Sequence, residues 1–132
     1  MMRTMLYRRI NMQMAVFLAL LPVYDHGEIF YSQTILHLEH TSSLWPKIEA
    51  LPSCEANKKI YSYLGVREDI DSIKQTATES DGFGLPLRLV TVKSMLTLQY
   101  AEEVMLYREN IAAFSYLREI HAGTYIALYW YG

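Results

Sequence analysis

The residues of this chain that are best suited to chemistry are two histidines and a glutamate in the stretch "HLEH". His37, Glu39 and His40 are residue types that bind zinc or transfer protons. A catalytic zinc ion usually has three protein ligands, so a further ligand would come from His26 or His121. These residues define one hypothesis, which is a small metal-dependent or carboxylate-dependent enzyme.

The spacing of these residues argues against a metal site. The His-Glu-x-x-His spacing of metalloproteases is absent. A zinc deaminase signature needs a downstream Pro-Cys-x-x-Cys, whereas "PSCEAN" holds only Cys54. The neighbouring β-branched residues favour an extended backbone, and a strand places His37 and Glu39 on one face and His40 on the other. We therefore predict no bound metal and no other cofactor.

Other catalytic motifs are not found in the sequence. Gly82 and Gly84 in "SDGFGLP" lack the spacing and the lysine of a phosphate-binding loop and predict a turn. A Gly-x-Ser-x-Gly nucleophile elbow is absent. Cys54 is predicted at the start of a helix, where the helix dipole favours a reactive thiolate, although a buried, unreactive thiol is the commoner arrangement. We therefore expect a protein that is not an enzyme.

The composition predicts one globular domain that spans residues 1–132. Of these 132 residues, 52% are hydrophobic and 20% are charged, which is enough apolar surface to fill one core. The net charge of -2 gives no global reason to expect direct binding to nucleic acid. A single cysteine rules out an internal disulfide and favours a cytoplasmic location.

The first 22 residues, "MMRTMLYRRINMQMAVFLALLP", combine three arginines with an apolar run, as secretory signals do. No small-x-small cleavage site follows, and the run from Met12 to Leu21 is shorter than the roughly 20 residues needed to cross a bilayer. As a helix, this segment is apolar over most of its circumference, which is typical of helices buried in a core. We predict an N-terminal core helix and no membrane contact.

The later segments alternate between strands and helices. Strands are predicted in "EIFYSQTILHLEH", with a bend near Ser32, in "LRLVTV" and in "TYIALYWYG". Helices are predicted in "SSLWPKIEALP", in "SCEANKKIYSYLG" and, as a broken helix or helical pair, from Lys93 to Gly123. The expected fold class is α+β: a single domain with a small mixed or antiparallel sheet of roughly 3–5 strands, packed by about 4–5 helices that bury Phe17 and Leu117.

An acidic segment that leads into an aromatic residue between two glycines is the first candidate binding surface. It contains Glu68, Asp69, Asp71, Glu79, Asp81 and Phe83. Such a cluster is most often a solvated surface. Complementary charge also speeds and orients docking onto a basic partner, and flanking glycines should expose the ring of Phe83.

The last strand, "YIALYWY", is the second candidate surface. Its residues are apolar or aromatic on both faces, which predicts a central position in the sheet. Alternatively, Tyr129 and Tyr131 contact a partner, because tyrosine is frequent among interface anchors.

The segments "INMQMAVFLALLP", "LPLRLVTVKSML" and "ENIAAFSYLREI", closing on "AGTYIALYWYG", resemble small uncharacterised proteins of phages and prophages. The general character of the chain is also similar to that of contact-dependent growth inhibition immunity proteins. The second resemblance implies a small, single-domain, cytoplasmic protein that binds one toxin and performs no chemistry.

Three functional hypotheses follow from the sequence. The leading one is a non-catalytic binding protein, monomeric or homodimeric, that neutralises a protein partner with a basic surface. That partner would be a nuclease toxin, for an immunity protein, or a host factor, for a phage-encoded inhibitor. The alternatives are the enzyme described above and a structural homo-oligomer in which aromatic strands pair between subunits.

Overall fold

A computed structural model describes residues 17–27, 29–54, 60–62 and 76–132 of the chain. The strands are β1 (Phe17–His26), β2 (Ile29–Tyr31), β3 (Leu36–Glu39), β4 (Ile60–Ser62), β5 (Thr76–Thr78), β6 (Arg88–Thr91) and β7 (Tyr125–Tyr131). The α-helices are α1 (Leu44–Glu49), α2 (Val92–Leu96) and α3 (Arg108–Leu117). Two short 3-10 segments, at Thr97–Tyr100 and Val104–Leu106, lie between α2 and α3.

The seven strands form one sheet in the order β5-β4-β2-β1-β7-β6, with β3 also paired to β1. All neighbours are antiparallel except β2 and β4, which are parallel, so the sheet is mixed. The predicted α+β class is confirmed. Three of the strands have only three residues each. The described ranges contain three α-helices, so the larger number of helices stays a prediction.

The N-terminal apolar segment differs from its prediction. Phe17 to Leu21 were expected to end an N-terminal helix and instead belong to strand β1 (Phe17–His26), while residues 1–16 lie outside the described part of the chain. β1 pairs with β7 on one side and with β2 and β3 on the other, and Leu18 to Leu21 are fully buried. A run that is apolar on every side suits a buried helix or a central strand equally, so its neighbours decide which one forms. Phe17 was expected to be buried and is 37% exposed, because it lies at the end of the sheet.

β2 and β3 pair with β1 one after the other and are separated by a bend. The pairing of β1 with β2 ends at Tyr24–Tyr31, and its pairing with β3 starts at Leu20–Leu36. Between these two pairs, β1 advances by four residues (24 to 20), whereas the segment that joins β2 to β3 advances by five (31 to 36). One extra residue on one strand is the defining feature of a β-bulge. The bend predicted near Ser32 is therefore confirmed.

The sheet carries apolar side chains on both faces. The larger core lies under the three helices and includes Leu18, Leu20, Leu38, Leu44, Ile48, Val90, Met95, Phe114, Leu117 and Trp130. A smaller cluster on the other face contains Leu21, Val23, Phe30, Ile60, Leu89 and Ala127. The predicted burial of Leu117 and the predicted central position of β7 are confirmed.

The helix predicted for "SCEANKKIYSYLG" is wrong wherever this segment is described. Cys54 forms an isolated antiparallel bridge, in which its N–H donates to the backbone oxygen of Leu89 at 2.7 Å. Ile60–Ser62 is strand β4. Pairing with other strands overrides the local helical pattern here, since strand formation depends strongly on neighbouring chain segments. Cys54 is a partly buried thiol that packs against the smaller cluster.

The helices predicted at α1 and between Lys93 and Gly123 are confirmed in outline. The second region is a broken helix that comprises α2, two 3-10 segments and α3. Thr91 caps α2, because its Oγ1 accepts a hydrogen bond from the Ser94 N–H at 3.1 Å. Ser43 precedes α1, and its side chain makes no capping bond to that helix.

Arg88 joins β6 to the end of α1. Its guanidinium donates to the backbone oxygens of Ile48 and Glu49 at 2.5 and 3.3 Å. It also donates to the backbone oxygen of Leu51 and to Ser53 Oγ. The last carbonyls of a helix lack partners within the helix and carry partial negative charge, so a guanidinium suits this position.

Candidate partner-binding site

A groove of about 510 Å³ opens where β1 begins, β3 and β7 end, and α3 starts. It is lined by Phe17, His37, Leu38, Glu39, Glu109 and Tyr131. Three rings and two carboxylates therefore face one space, which we call the Tyr131 groove. Its volume lies within the range of about 300–1,000 Å³ that is common for ligand-binding sites.

The register of the sheet brings these residues together. Phe17 at the start of β1 lies opposite Tyr131 on β7 and opposite Glu39 on β3. Directly opposite residues share a face of a sheet, and so do residues two apart on one strand. The face that carries Phe17, Glu39 and Tyr131 therefore also carries His37.

The ring of Tyr131 is held by its neighbours. His37 Nδ1 and Tyr131 Oη are hydrogen-bonded at 2.6 Å, and their rings meet edge to face with centroids 5.8 Å apart. Phe17 stacks on the same tyrosine, with a centroid distance of 5.8 Å and an interplanar angle of 27°. A ring that is fixed before binding loses little conformational freedom on binding, which favours its use as an anchor.

Asn110 at the start of α3 holds the backbone next to both carboxylates of the groove. The N–H of Glu39 donates to Asn110 Oδ1 at 2.7 Å. Asn110 Nδ2 donates to the backbone oxygens of Val104 and Glu39 at 2.8 and 3.3 Å. The Asn110 side chain is fully buried, so these bonds attach α3 firmly to β3. Because Glu109 is the residue before Asn110, the same contacts fix its backbone next to the groove that it lines.

The remaining residues of the enzyme hypothesis lie elsewhere. His40 packs edge to face against Trp130, with centroids 6.2 Å apart, on the helix-covered face of the sheet. Burial lowers the pKa of His40 below its ordinary value. His121 is exposed in the turn before β7. The predicted separation of His37 and Glu39 from His40 is confirmed, and within the described ranges no group of three histidine, cysteine or acidic side chains is arranged to hold a metal ion.

Only part of the predicted acidic segment can be placed. Glu68, Asp69 and Asp71 lie outside the described residues, and Glu79 is exposed. Phe83 was expected to be exposed, but it is partly buried and packs against the larger core.

Asp81 has a structural role in the turn "SDGFGLP". It is buried, and its Oδ1 accepts hydrogen bonds from the N–H groups of Phe83 and Leu85 at 2.9 and 3.0 Å. The Gly82 N–H donates to the backbone oxygen of Trp130 at 2.7 Å, which attaches the turn to β7. Aspartate commonly bonds the backbone N–H groups that follow it in turns, and this sequence signal identifies Asp81 as a turn residue.

The last strand contributes one of its two predicted interface residues to the groove. Tyr131 lines the groove, whereas the partly buried Tyr129 packs against the smaller cluster, with its ring 6.1 Å from that of Tyr131. Phe17 and Glu109 were not predicted as site residues. Neither belongs to a motif, and only the packing of distant segments shows that both line the groove.

Comparison with known proteins finds no protein family, no curated protein and no solved structure that this chain matches. Within the part of the chain that the structure describes, no helix has the length and apolar character needed to cross a membrane.

Proposed function

We propose that this chain is a non-catalytic binding protein that neutralises a protein partner, and that the Tyr131 groove is its docking site. The observation that carries this proposal is the ring of Tyr131, which is held between Phe17 and His37 with Glu39 and Glu109 beside it. Tyrosine in a preformed pocket is a frequent interface anchor, and carboxylates near it favour a basic partner.

Exposed apolar side chains near Glu109 in the chain support the same proposal. Leu106 and Tyr107, just before α3, and Ile111 in its first turn are 74%, 40% and 45% exposed. They flank Glu109 along the chain. Clustered exposed apolar residues often mark interaction surfaces, so the docking face would extend from the groove over the start of α3.

The charge of the groove indicates the class of partner. A nuclease toxin has a basic cleft for nucleic acid, and carboxylates of an inhibitor can take the place of phosphates there. An immunity protein or a phage-encoded inhibitor acting in the cytoplasm would need this kind of surface. Glu68, Asp69, Asp71 and Glu79 are proposed to add long-range attraction, which acts on the association rate.

The test is affinity capture of partners from the producing cells with the wild-type chain and with Tyr131→Ala. The captured protein is then purified and its affinity measured by calorimetry. We expect Tyr131→Ala to weaken binding about 30-fold, which is about 2 kcal/mol. Tyr100→Ala is the control, because Tyr100 is 83% exposed and does not line the groove.

Restored growth of cells that produce the captured partner together with wild-type protein, but not with Tyr131→Ala, would support neutralisation. Equal affinity of the wild-type chain and folded Tyr131→Ala would contradict the groove as the docking site. A captured partner whose activity is unchanged by the bound wild-type chain would contradict neutralisation.

A further inference from the structure

We infer that the Tyr131 groove binds the guanidinium group of one arginine side chain of the partner. This inference rests on the proposed function and names the chemistry that the site recognises. It follows from the rings, the carboxylates and the shape of the groove, which are considered in turn.

The rings form an apolar wall for a planar cation. Phe17 is 37% exposed, and the stacked ring of Tyr131 is partly exposed beside it. A guanidinium is planar and weakly hydrated, so it stacks on aromatic rings and gains cation–π attraction there. The hydrogen bond between Tyr131 and His37 keeps these rings in place without the ligand.

The two carboxylates supply the opposite charge from two different elements. Glu39 belongs to β3 and Glu109 to the first turn of α3. Neither carboxylate forms an ion pair with another side chain of the described ranges, whereas Glu103 pairs with Lys47 at 3.3 Å. A groove lined by three rings and by two carboxylates that form no ion pair within the described ranges is complementary to a cation with a flat apolar surface.

Arginine fits this set better than the other cationic groups. A metal ion would need at least three ligand side chains, and within the described ranges no such group exists. A lysine ammonium is a compact, strongly hydrated charge that gains less from ring stacking. The five N–H donors of arginine form a fixed fork that can bond carboxylates while its plane lies on a ring.

The test uses the acetylated and amidated tripeptide Leu-Arg-Leu as the probe. Its control is the same tripeptide with citrulline, which has nearly the same shape and no charge. Each is added at millimolar concentrations to the full chain, and NMR follows the side-chain signals of His37 and Tyr131. We expect saturable shifts of both residues with the arginine peptide and binding about tenfold weaker with citrulline.

Protein variants complete the test. In Glu39→Gln with Glu109→Gln, the affinity for the arginine peptide should fall about tenfold, which corresponds to about 1.4 kcal/mol. Glu119→Gln, on the exposed side beyond the end of α3, should bind like the wild-type chain. Equal binding of the two peptides, equal binding by the double variant, or no shift of His37 and Tyr131 would overturn the inference.

The results distinguish a failure of the arginine site from a failure of the proposed function. If the arginine peptide fails but the captured partner binds the wild-type chain and not Tyr131→Ala, the groove still docks a partner through another side chain. If the partner binds both chains equally while the arginine peptide shifts His37 and Tyr131, the guanidinium site exists and the docking proposal is wrong.

Discussion

The side-chain amide of Asn110 bonds the backbone of Glu39 as a neighbouring strand would. It accepts from the Glu39 N–H at 2.7 Å and donates to the Glu39 carbonyl oxygen at 3.3 Å. The outer edge of a sheet leaves such groups unpaired and prone to association with other chains. Here one buried side chain satisfies the edge of β3 and attaches the helix that carries Glu109.

Replacing Asn110 by alanine should strongly destabilise the fold. The change leaves the Glu39 N–H and the Val104 carbonyl without their partner in a buried place, and each such loss costs about 1–3 kcal/mol. Urea unfolding should show a free energy of unfolding lower by about 2–4 kcal/mol. Ser115→Ala, on the exposed side of α3, is the control; an equal effect of both changes would show that the amide contributes little.

Arg88→Met should loosen the end of α1 from β6. The substitution keeps an apolar chain and removes the donors to the backbone oxygens of Ile48, Glu49 and Leu51. Hydrogen bonds from a charged donor contribute about 1.5–3 kcal/mol, so thermal and urea unfolding should show a loss of about that size. Lys93→Met at an exposed position of α2 should be nearly neutral, and a loss as large as that of Arg88→Met would contradict the capping role.

Gly82→Ala should destabilise the turn that lies against β7. A Cβ at this position would be 2.8 Å from the Trp130 backbone oxygen and 3.0 Å from Tyr131 Cβ. Both atoms belong to a central strand that cannot shift easily, so we expect a loss of about 1–3 kcal/mol in the free energy of unfolding. Gly123→Ala meets only the exposed ring of His121, at 3.2 Å, and should cost much less. Similar losses for both variants would show that close approach to β7 is not the cause.

The protein should become less stable as the pH falls, because His40 becomes protonated. Burial lowers the pKa of His40 in the folded chain below its ordinary value of 6.5, so the folded state favours the neutral ring. Its contribution to stability is therefore complete above about pH 6.5 and is lost as the pH falls through the lowered pKa.

His40→Phe tests this linkage, since phenylalanine can keep the edge-to-face contact with Trp130 without a titrating group. Unfolding measured from pH 8 to pH 5 should show a smaller decline for this variant than for the wild-type chain, with His37→Asn as the exposed control. An unchanged pH profile in His40→Phe would contradict the prediction.

Purified protein should contain no stoichiometric zinc or iron. His37 bonds Tyr131 in the groove, whereas His40 lies on the other face against Trp130, so the two rings cannot share one ion within a chain. Elemental analysis of the purified chain is the measurement. One metal ion per chain that is lost in His37→Ala would contradict this expectation.

The two histidines should differ in their effect on stability. Changing His40 to alanine should destabilise the fold, because its partly buried ring packs on Trp130. The single change His37→Ala should have little effect on unfolding, because His37 is exposed.

Local patterns predicted β7 and α3 well. β7 is a run of apolar and aromatic residues that begins directly after a glycine turn, and α3 has one apolar side that includes Ala113 and Leu117. Strand and helix periods differ, and each of these segments shows its own period without help from distant residues. Thr91 and Ser94 likewise form the cap of α2 within four residues of sequence.

Two segments whose conformation depends on distant partners were predicted wrongly. The apolar run that contains Leu18 to Leu21 has no period that separates a strand from a helix, and its pairing with β3 and β7 makes it a strand. Cys54 was expected to begin a helix, and its bridge to Leu89 on β6 holds it extended instead. In both places a partner far along the chain supplies the hydrogen bonds that select the backbone conformation.

The sequence by itself determined the residue types of the candidate surface, the α+β class and the separation of His37 from His40 on a strand. Only the tertiary structure decided which residues meet. Phe17, Glu39 and Tyr131 are far apart in the chain and adjacent in the sheet, because β1 pairs with β3 and β7 in one register. A shift of that register by one residue would turn these side chains to the opposite face. No local pattern encodes the register. The register follows from which pairing of the strands buries the apolar side chains on both faces of the sheet.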